Sequence, residues 1–115
     1  MYSVCLLYDP NKAAHAGSAI PIKLQLCDGA GQNLSSPSIV LHSPSVTKVS
    51  TMISGPVQDA GNSNPDSDFR YDASLGGSGG YIFNLKTTGL TTGIYTLDFN
   101  AGIDPTVYHA TFQVK

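Results

Sequence analysis

Short runs in which apolar and polar residues alternate are the feature that most constrains how this chain can fold. The run 20–26 (IPIKLQL) places an apolar residue at every second position, and the runs 81–86, 95–99 and 108–114 repeat that pattern. Successive side chains of a β-strand point to opposite faces of its sheet. Each run therefore predicts a strand with one buried face.

Three weaker strands are predicted at 3–8, 38–42 and 46–53, which gives about seven strands in all. Clusters of Gly, Pro, Asn, Asp and Ser separate them. Seven short strands at this spacing are typical of an immunoglobulin-like sandwich of two antiparallel sheets. The length of 115 residues suits one such unit. We therefore predict a single all-β domain over residues 1–115.

Composition supports strands and excludes several functions. Only 12% of the residues are charged and none is Glu, which disfavours long solvated helices. The net charge of −2, with one Arg and five scattered Lys, gives no basic surface for nucleic acid. No apolar run approaches the roughly 20 residues that cross a bilayer, so we expect no membrane insertion. Because the strand-like pattern starts near Met1 without a signal peptide, we expect a domain excised from a larger secreted protein.

Cys5 and Cys27 lie in two strand-like runs that flank a loop, so neighbouring strands could be bridged there. A disulfide closing this loop would stabilise the fold by roughly 3 kcal/mol on the chain-entropy model. The alternative is a pair of buried free thiols. If the bond forms, the protein belongs to an oxidising compartment, which predicts a secreted or cell-surface location.

Two segments resemble a known group of domains. The run 16–24 (AGSAIPIKL) is similar to the signature of the bacterial family named for its Pro-x-Lys-Phe motif, with Leu24 in place of Phe. The run 79–97 resembles the paired late strands of bacterial immunoglobulin-like modules. The resemblance implies a small β-sandwich from the C-terminal part of a large secreted protein. That family has no established activity and supplies no catalytic residues.

The segment Gly89-Leu90-Thr91-Thr92-Gly93-Ile94-Tyr95 suits a turn that leads into a strand. In this interpretation Leu90 closes the end of the sandwich, and the hydroxyl of Tyr95 bonds back to the turn, as in the tyrosine corner of immunoglobulin-like folds. The alternative is that Tyr95 simply belongs to the core.

The stretch 55–80 lacks clean periodicity and predicts a long loop, with a short strand at 69–71. Loops of this length are often functional. Its oxygen-bearing side chains are candidate calcium ligands: Asp59, Asn62, Asn64, Asp66 and Asp68, with Asp72 nearby. The alternative is ordinary turn chemistry of Asn and Asp. We expect no other cofactor.

A catalytic site is not predicted. Ser78 lies in Gly76-Gly77-Ser78-Gly79-Gly80, which formally matches a nucleophile elbow, but that motif needs a strand turning into a helix, and here a strand follows. His15, His42 and His109 lack the spacing of metal ligands and are expected at the surface.

Three further features of the sequence bear on the surface of the protein. Lys23 is expected to be exposed, rather than buried for an isopeptide bond. Asn33-Leu34-Ser35 is a formal glycosylation sequon that we interpret as a turn. Tyr2, Tyr8 and Tyr71 are the candidates for stacking on sugars.

The sequence thus favours a non-catalytic structural or interaction module of a secreted or cell-surface bacterial protein. Its partners would be other domains of the parent protein, or an extracellular protein or polysaccharide. The alternative is a ligand-binding or adhesion module that uses the 55–80 loop to bind calcium or carbohydrate.

Overall fold

Two β-sheets pack face to face in the computed structural model, which describes residues 2–56 and 67–115. The strands are β1 (Ser3–Leu6), β2 (Ala13–Ala14), β3 (Ala19–Cys27), β4 (Leu41–Lys48), β5 (Ile53–Pro56), β6 (Arg70–Asp72), β7 (Gly80–Lys86), β8 (Gly93–Ala101) and β9 (Asp104–Val114). The first sheet has the order β1-β3-β7-β6, and the second has the order β2-β9-β8-β4-β5. Neighbouring strands are antiparallel, apart from β2, which runs parallel to β9. The predicted all-β architecture of two packed sheets is confirmed.

The four clearest alternating runs correspond to β3, β7, β8 and β9, and the short strand suggested at 69–71 corresponds to β6. The described residues form nine strands, against about seven predicted. One of the additional strands, β2, has two residues and is too short to show any alternation. A 3-10 turn at Leu75–Gly77 precedes β7. Within the described residues, no helix is long and apolar enough to cross a membrane.

The predicted strands at 38–42 and 46–53 are wrong in their bounds, because one strand, β4, runs through the gap between them. Pro44 lies in that gap, and a proline usually argues against a central strand since it lacks an N–H. The sheet accommodates it with an irregularity: the register with β8 shifts between His42 and Ser45.

The core lies between the two sheets and is formed by the inward-facing positions of the alternating runs. Phe69 links the sheets, because its ring centroid lies 5.2 Å from those of both Phe83 in β7 and Phe99 in β8. The buried apolar residues are Ile22, Leu24, Leu26, Cys27, Leu41, Val46, Phe69, Tyr81, Phe83, Leu85, Tyr95, Leu97, Phe99, Ala101, Tyr108, Ala110, Phe112 and Val114. The period-two pattern therefore identifies the buried face correctly.

The structure contains the predicted disulfide between Cys5 and Cys27. It joins β1 to β3, which are neighbours in the first sheet. The edge strand β1 is thus covalently attached to the strand that it pairs with.

The two ends of the described chain lie at opposite ends of the sandwich. Tyr2 lies beside the turn between β8 and β9, where its N–H donates to the hydroxyl of Tyr108. Lys115 follows the other end of β9, and its N–H donates to the carbonyl of Ala14. The 11 residues of β9 span about 35 Å, which matches the longest dimension of the molecule, 34 Å.

Candidate functional site

A buried carboxylate lies at the centre of the outer face of the second sheet. In β8, the residues Leu97 and Phe99 point into the core, so Asp98 between them points outward. Asp98 is nevertheless only 6% exposed. Its cross-strand neighbours are Ser45 on β4 and His109 on β9, and these side chains cover it from both sides.

Four side chains bond to this carboxylate. Oδ2 of Asp98 accepts hydrogen bonds from Oγ1 of Thr47 (2.6 Å) and Oγ of Ser45 (3.1 Å). Oδ1 accepts one from Oγ1 of Thr96 (2.8 Å) and lies 2.7 Å from Nδ1 of His109. We call these five residues the Asp98 cluster.

The charge of Asp98 follows from this environment. Burial raises the pKa of the carboxyl, but the hydrogen bonds from Thr47, His109 and Thr96 together lower it more, so the pKa lies below its ordinary value. Asp98 is therefore an anion at neutral pH. An anionic acceptor at Nδ1 favours the tautomer of His109 that carries its proton there, which leaves Nε2 as the basic nitrogen of the neutral ring.

A surface pocket of about 390 Å³ lies over the cluster. Thr47, Thr96 and His109 contribute polar atoms to it, and the exposed side chains of Val49 and Met52 form an apolar wall. Ligand sites commonly combine apolar walls with a few placed polar groups. The pocket thus places polar groups beside an apolar surface.

The hydrogen bonds of Thr47 bear on whether it could act as a nucleophile. A serine- or threonine-based mechanism needs the hydroxyl to give its proton to the basic nitrogen of a histidine. Thr47 instead gives its proton to Asp98, and its Oγ1 lies 2.7 Å from Oγ of Ser54. Thr47 is therefore not aligned as a nucleophile with the pair of His109 and Asp98.

The calcium prediction falls largely outside the described residues. Asp59, Asn62, Asn64 and Asp66 lie there, so the structure does not test them. Asp68 is described, and its Oδ1 lies 2.8 Å from Nδ1 of His42. Among the residues that the structure describes, no group of three or more His, Cys, Asp or Glu side chains could hold a metal ion.

Ser78 has a structural role. It follows the 3-10 turn and precedes β7, which is the reverse of the strand-then-helix order of a nucleophile elbow. Its Oγ accepts hydrogen bonds from Nδ2 of Asn33 (3.0 Å) and Nε2 of Gln25 (3.5 Å), and the same two amides donate to the carbonyl of Gly79. The side-chain amide of Asn33 therefore holds two loops together.

The three tyrosines suggested as a sugar platform are half-buried. Tyr2 contacts Tyr108 with ring centroids 6.2 Å apart, and Tyr71 contacts Tyr81 edge-on at 5.6 Å. Tyr8 donates its hydroxyl to the carbonyl of Thr111 (2.7 Å), and burial raises its pKa to about 12. These rings are used in packing and do not form an exposed platform.

The predicted tyrosine corner is confirmed. The hydroxyl of Tyr95 donates to the carbonyl of Thr91 (2.7 Å), and Leu90 packs partly buried against the core. Lys23 points away from the core, as the alternation predicts, but it is half-buried rather than exposed.

The sequence did not reveal the Asp98 cluster. The histidines are at the surface as predicted, but His42 and His109 each pair with an aspartate, while the exposed His15 accepts a bond from Ser18 through its backbone carbonyl. The available signal was an aspartate in the middle of an apolar strand, between Leu97 and Phe99. Its partners come from strands whose register the sequence does not specify.

The Asp98 cluster is a candidate site on its geometry alone. No protein-family model matches this chain, and neither a curated protein nor a solved structure matches it.

Proposed function

We propose that this chain is a non-catalytic, immunoglobulin-like module of a secreted or cell-surface bacterial protein, where it acts as a rigid spacer between neighbouring parts. The observation that carries this proposal is that Tyr2 lies beside the turn that precedes β9, whereas Lys115 follows the other end of that 11-residue strand. A domain that the chain enters at one end and leaves at the other adds its full length to whatever it connects.

The strand order supports an immunoglobulin-like topology. With β1, β3, β7 and β6 labelled A, B, E and D, the first sheet has the ABED order of these domains, and β9-β8-β4-β5 corresponds to GFCC′. The corner at Tyr95 opens the strand labelled F, where such corners occur. The position of the disulfide differs from that in antibody domains. Their disulfide joins strands B and F across the two sheets, whereas Cys5–Cys27 joins β1 and β3 within one sheet.

Two features support a location outside the cytoplasm. Disulfides such as Cys5–Cys27 persist in oxidising compartments. The likeness of residues 16–24 to the Pro-x-Lys-Phe family of secreted proteins agrees with this. Neighbouring domains of the parent protein are then the first expected partners.

The spacer proposal is tested with a tandem of two copies joined by a short linker and measured by small-angle X-ray scattering. We expect a maximum dimension about twice that of a single copy, since each copy contributes its long axis. A tandem no longer than one copy would overturn the spacer role. An esterase activity that is lost in Ser78→Ala or His109→Ala would overturn the non-catalytic assignment.

A second candidate function is carbohydrate binding at the Asp98 cluster. Its support is the pocket in which His109 and Thr96 offer hydrogen-bonding groups beside the apolar side chains of Val49 and Met52. A glycan array with the wild type, His109→Ala and the control His15→Ala tests it. Binding that is lost only in His109→Ala supports this function, and an array without hits removes it.

A further inference from the structure

One end of the sandwich presents apolar side chains with no role in the fold. Ile103 lies in the turn between β8 and β9 and is fully exposed, at 104%. Next to it is Val40, which is 51% exposed and whose carbonyl accepts a hydrogen bond from the N–H of Gly102. Gly102 takes the positive φ of this two-residue turn, and the exposed side chain of Ile103 buries no surface within the chain. We call Val40 and Ile103 the apolar tip.

The other end of the sandwich has an apolar cleft of about 440 Å³. Its apolar lining comes from Val46, Ile53, Leu90 and Tyr95, and Ile53 is 69% exposed. The cleft is several times larger than an isoleucine side chain and is open to solvent. We call it the end cleft.

The tip and the cleft are far apart and cannot meet within one chain. Tyr95 lies near the start of β8, and Ile103 follows its end, so about 27 Å of extended strand separates the two. This distance is most of the 34 Å length of the molecule. Two copies in line, however, bring the tip of one to the cleft of the other.

Each end also has a charged side chain beside its apolar surface, Asp104 at the tip and Lys48 at the cleft. Asp104 follows Ile103, and hydrogen bonds from the Tyr108 hydroxyl and from Thr106 lower its pKa to about 2, so it is an anion at neutral pH. Lys48 lines the end cleft, where its Nζ bonds to Oγ1 of Thr91 (2.7 Å) and retains two further N–H groups. When two copies lie in line, Ile103 and the anion Asp104 of one copy therefore lie opposite the end cleft and the cation Lys48 of the other.

We propose that this chain binds a second copy of itself head to tail, with Ile103 of one copy in the end cleft of the next and Asp104 beside Lys48. The contact joins two different surfaces, so each added copy leaves one tip and one cleft free. It therefore extends into linear chains rather than closing as a dimer. This inference goes beyond the spacer role and does not depend on it.

The first test is sedimentation velocity of the wild type over a wide range of concentrations. A small contact of this kind gives weak association. We expect the weight-average mass to rise steadily with concentration beyond that of a dimer, and to rise less at high salt, because salt screens exposed charges. A mass that stays at one copy overturns the proposal, and indifference to salt overturns the pairing of Asp104 with Lys48.

The decisive test uses two complementary variants, Ile103→Ser without the tip and Ile53→Ser without the cleft wall. Each variant alone should remain at the mass of one copy. An equimolar mixture should form dimers and nothing larger, because only one intact tip and one intact cleft can meet. Failure of the mixture to form dimers overturns the head-to-tail arrangement.

A matched control distinguishes this contact from nonspecific association through exposed apolar side chains. Ile94→Ser removes a partly exposed isoleucine on the outer face of the second sheet and should associate like the wild type. Ile53, Ile94 and Ile103 are all exposed, so thermal melts should show that the three variants remain folded. Loss of association in Ile94→Ser as well would contradict the proposed contact.

Discussion

Asp98 is buried on a sheet face that otherwise meets solvent, and its hydrogen bonds stabilise the charge there. We expect Asp98→Asn to lower the free energy of unfolding by about 2 kcal/mol at pH 7, because an amide replaces charge-assisted bonds with weaker ones and meets the hydroxyl donors with its own N–H groups. Urea denaturation measures this difference. The matched control is Asp9→Asn at an exposed turn, which we expect to change stability by less than about 0.5 kcal/mol.

The same carboxylate gives a pH dependence with a defined sign. Its pKa is lower in the folded protein than in the unfolded chain, so its stabilisation is complete above the unfolded pKa of about 4 and is lost as the pH falls through the folded pKa. We therefore expect the difference between wild type and Asp98→Asn to shrink as the pH falls below about 4. A difference that grows in acid would contradict the assigned shift.

The hydroxyl group of Tyr95 allows a second test, because one substitution removes it and keeps the ring. Tyr95→Phe keeps the buried ring stacked on Phe112 and removes the hydroxyl that donates to Thr91. We expect a loss of about 1 kcal/mol, the ordinary value of one hydrogen bond. Tyr71→Phe is the comparison, because that ring packs edge-on against Tyr81 and should lose less. Equal losses in the two variants would show that the corner adds nothing.

At the scale of strands, local alternation was enough to predict the buried faces. The runs around Ile22, Phe83, Leu97 and Phe112 all turned their apolar residues inward. Alternation failed at β4, because the irregularity at Pro44 lets one strand continue where the pattern breaks.

The Asp98 cluster could not be predicted from the alternation of apolar and polar residues within single strands. Asp98, Thr47 and His109 lie on three different strands, and they meet only because the register of β4-β8-β9 places them side by side. Register depends on the whole sheet and is not specified by any one run. The aspartate among apolar neighbours was visible in the sequence, but its partners were not.

The disulfide that joins β1 to β3 can be removed by substituting only its two cysteines. β1 is an edge strand of four residues, and we expect the pair Cys5→Ala and Cys27→Ala to lower the free energy of unfolding by about 3 kcal/mol, since the bond restricts the unfolded chain. Denaturation with and without reductant measures the effect. Reductant should destabilise the wild type by a similar amount and leave the double variant unchanged, whereas an unaffected wild type would contradict the expectation.

Across the whole molecule, the disulfide also determines which part of the chain transmits a pulling force. A force applied at the two ends passes from Cys5 directly to Cys27 and bypasses the closed loop between them, which includes β2. Without the bond, the same force would pass through β2, which pairs with β9 in parallel. The chain under tension should therefore extend differently in its oxidised and reduced forms.

Stretching single molecules by their ends measures this difference. The bond spans 22 residues of chain, so the oxidised protein should release about 70 Å less length on complete unfolding than the reduced one. The Cys5→Ala and Cys27→Ala double variant should release the longer length with or without reductant, which separates the bond from any other effect of the reducing agent. Equal lengths before and after reduction of the wild type would mean that force does not pass through Cys5 and Cys27, and the load path inferred from the fold would be wrong.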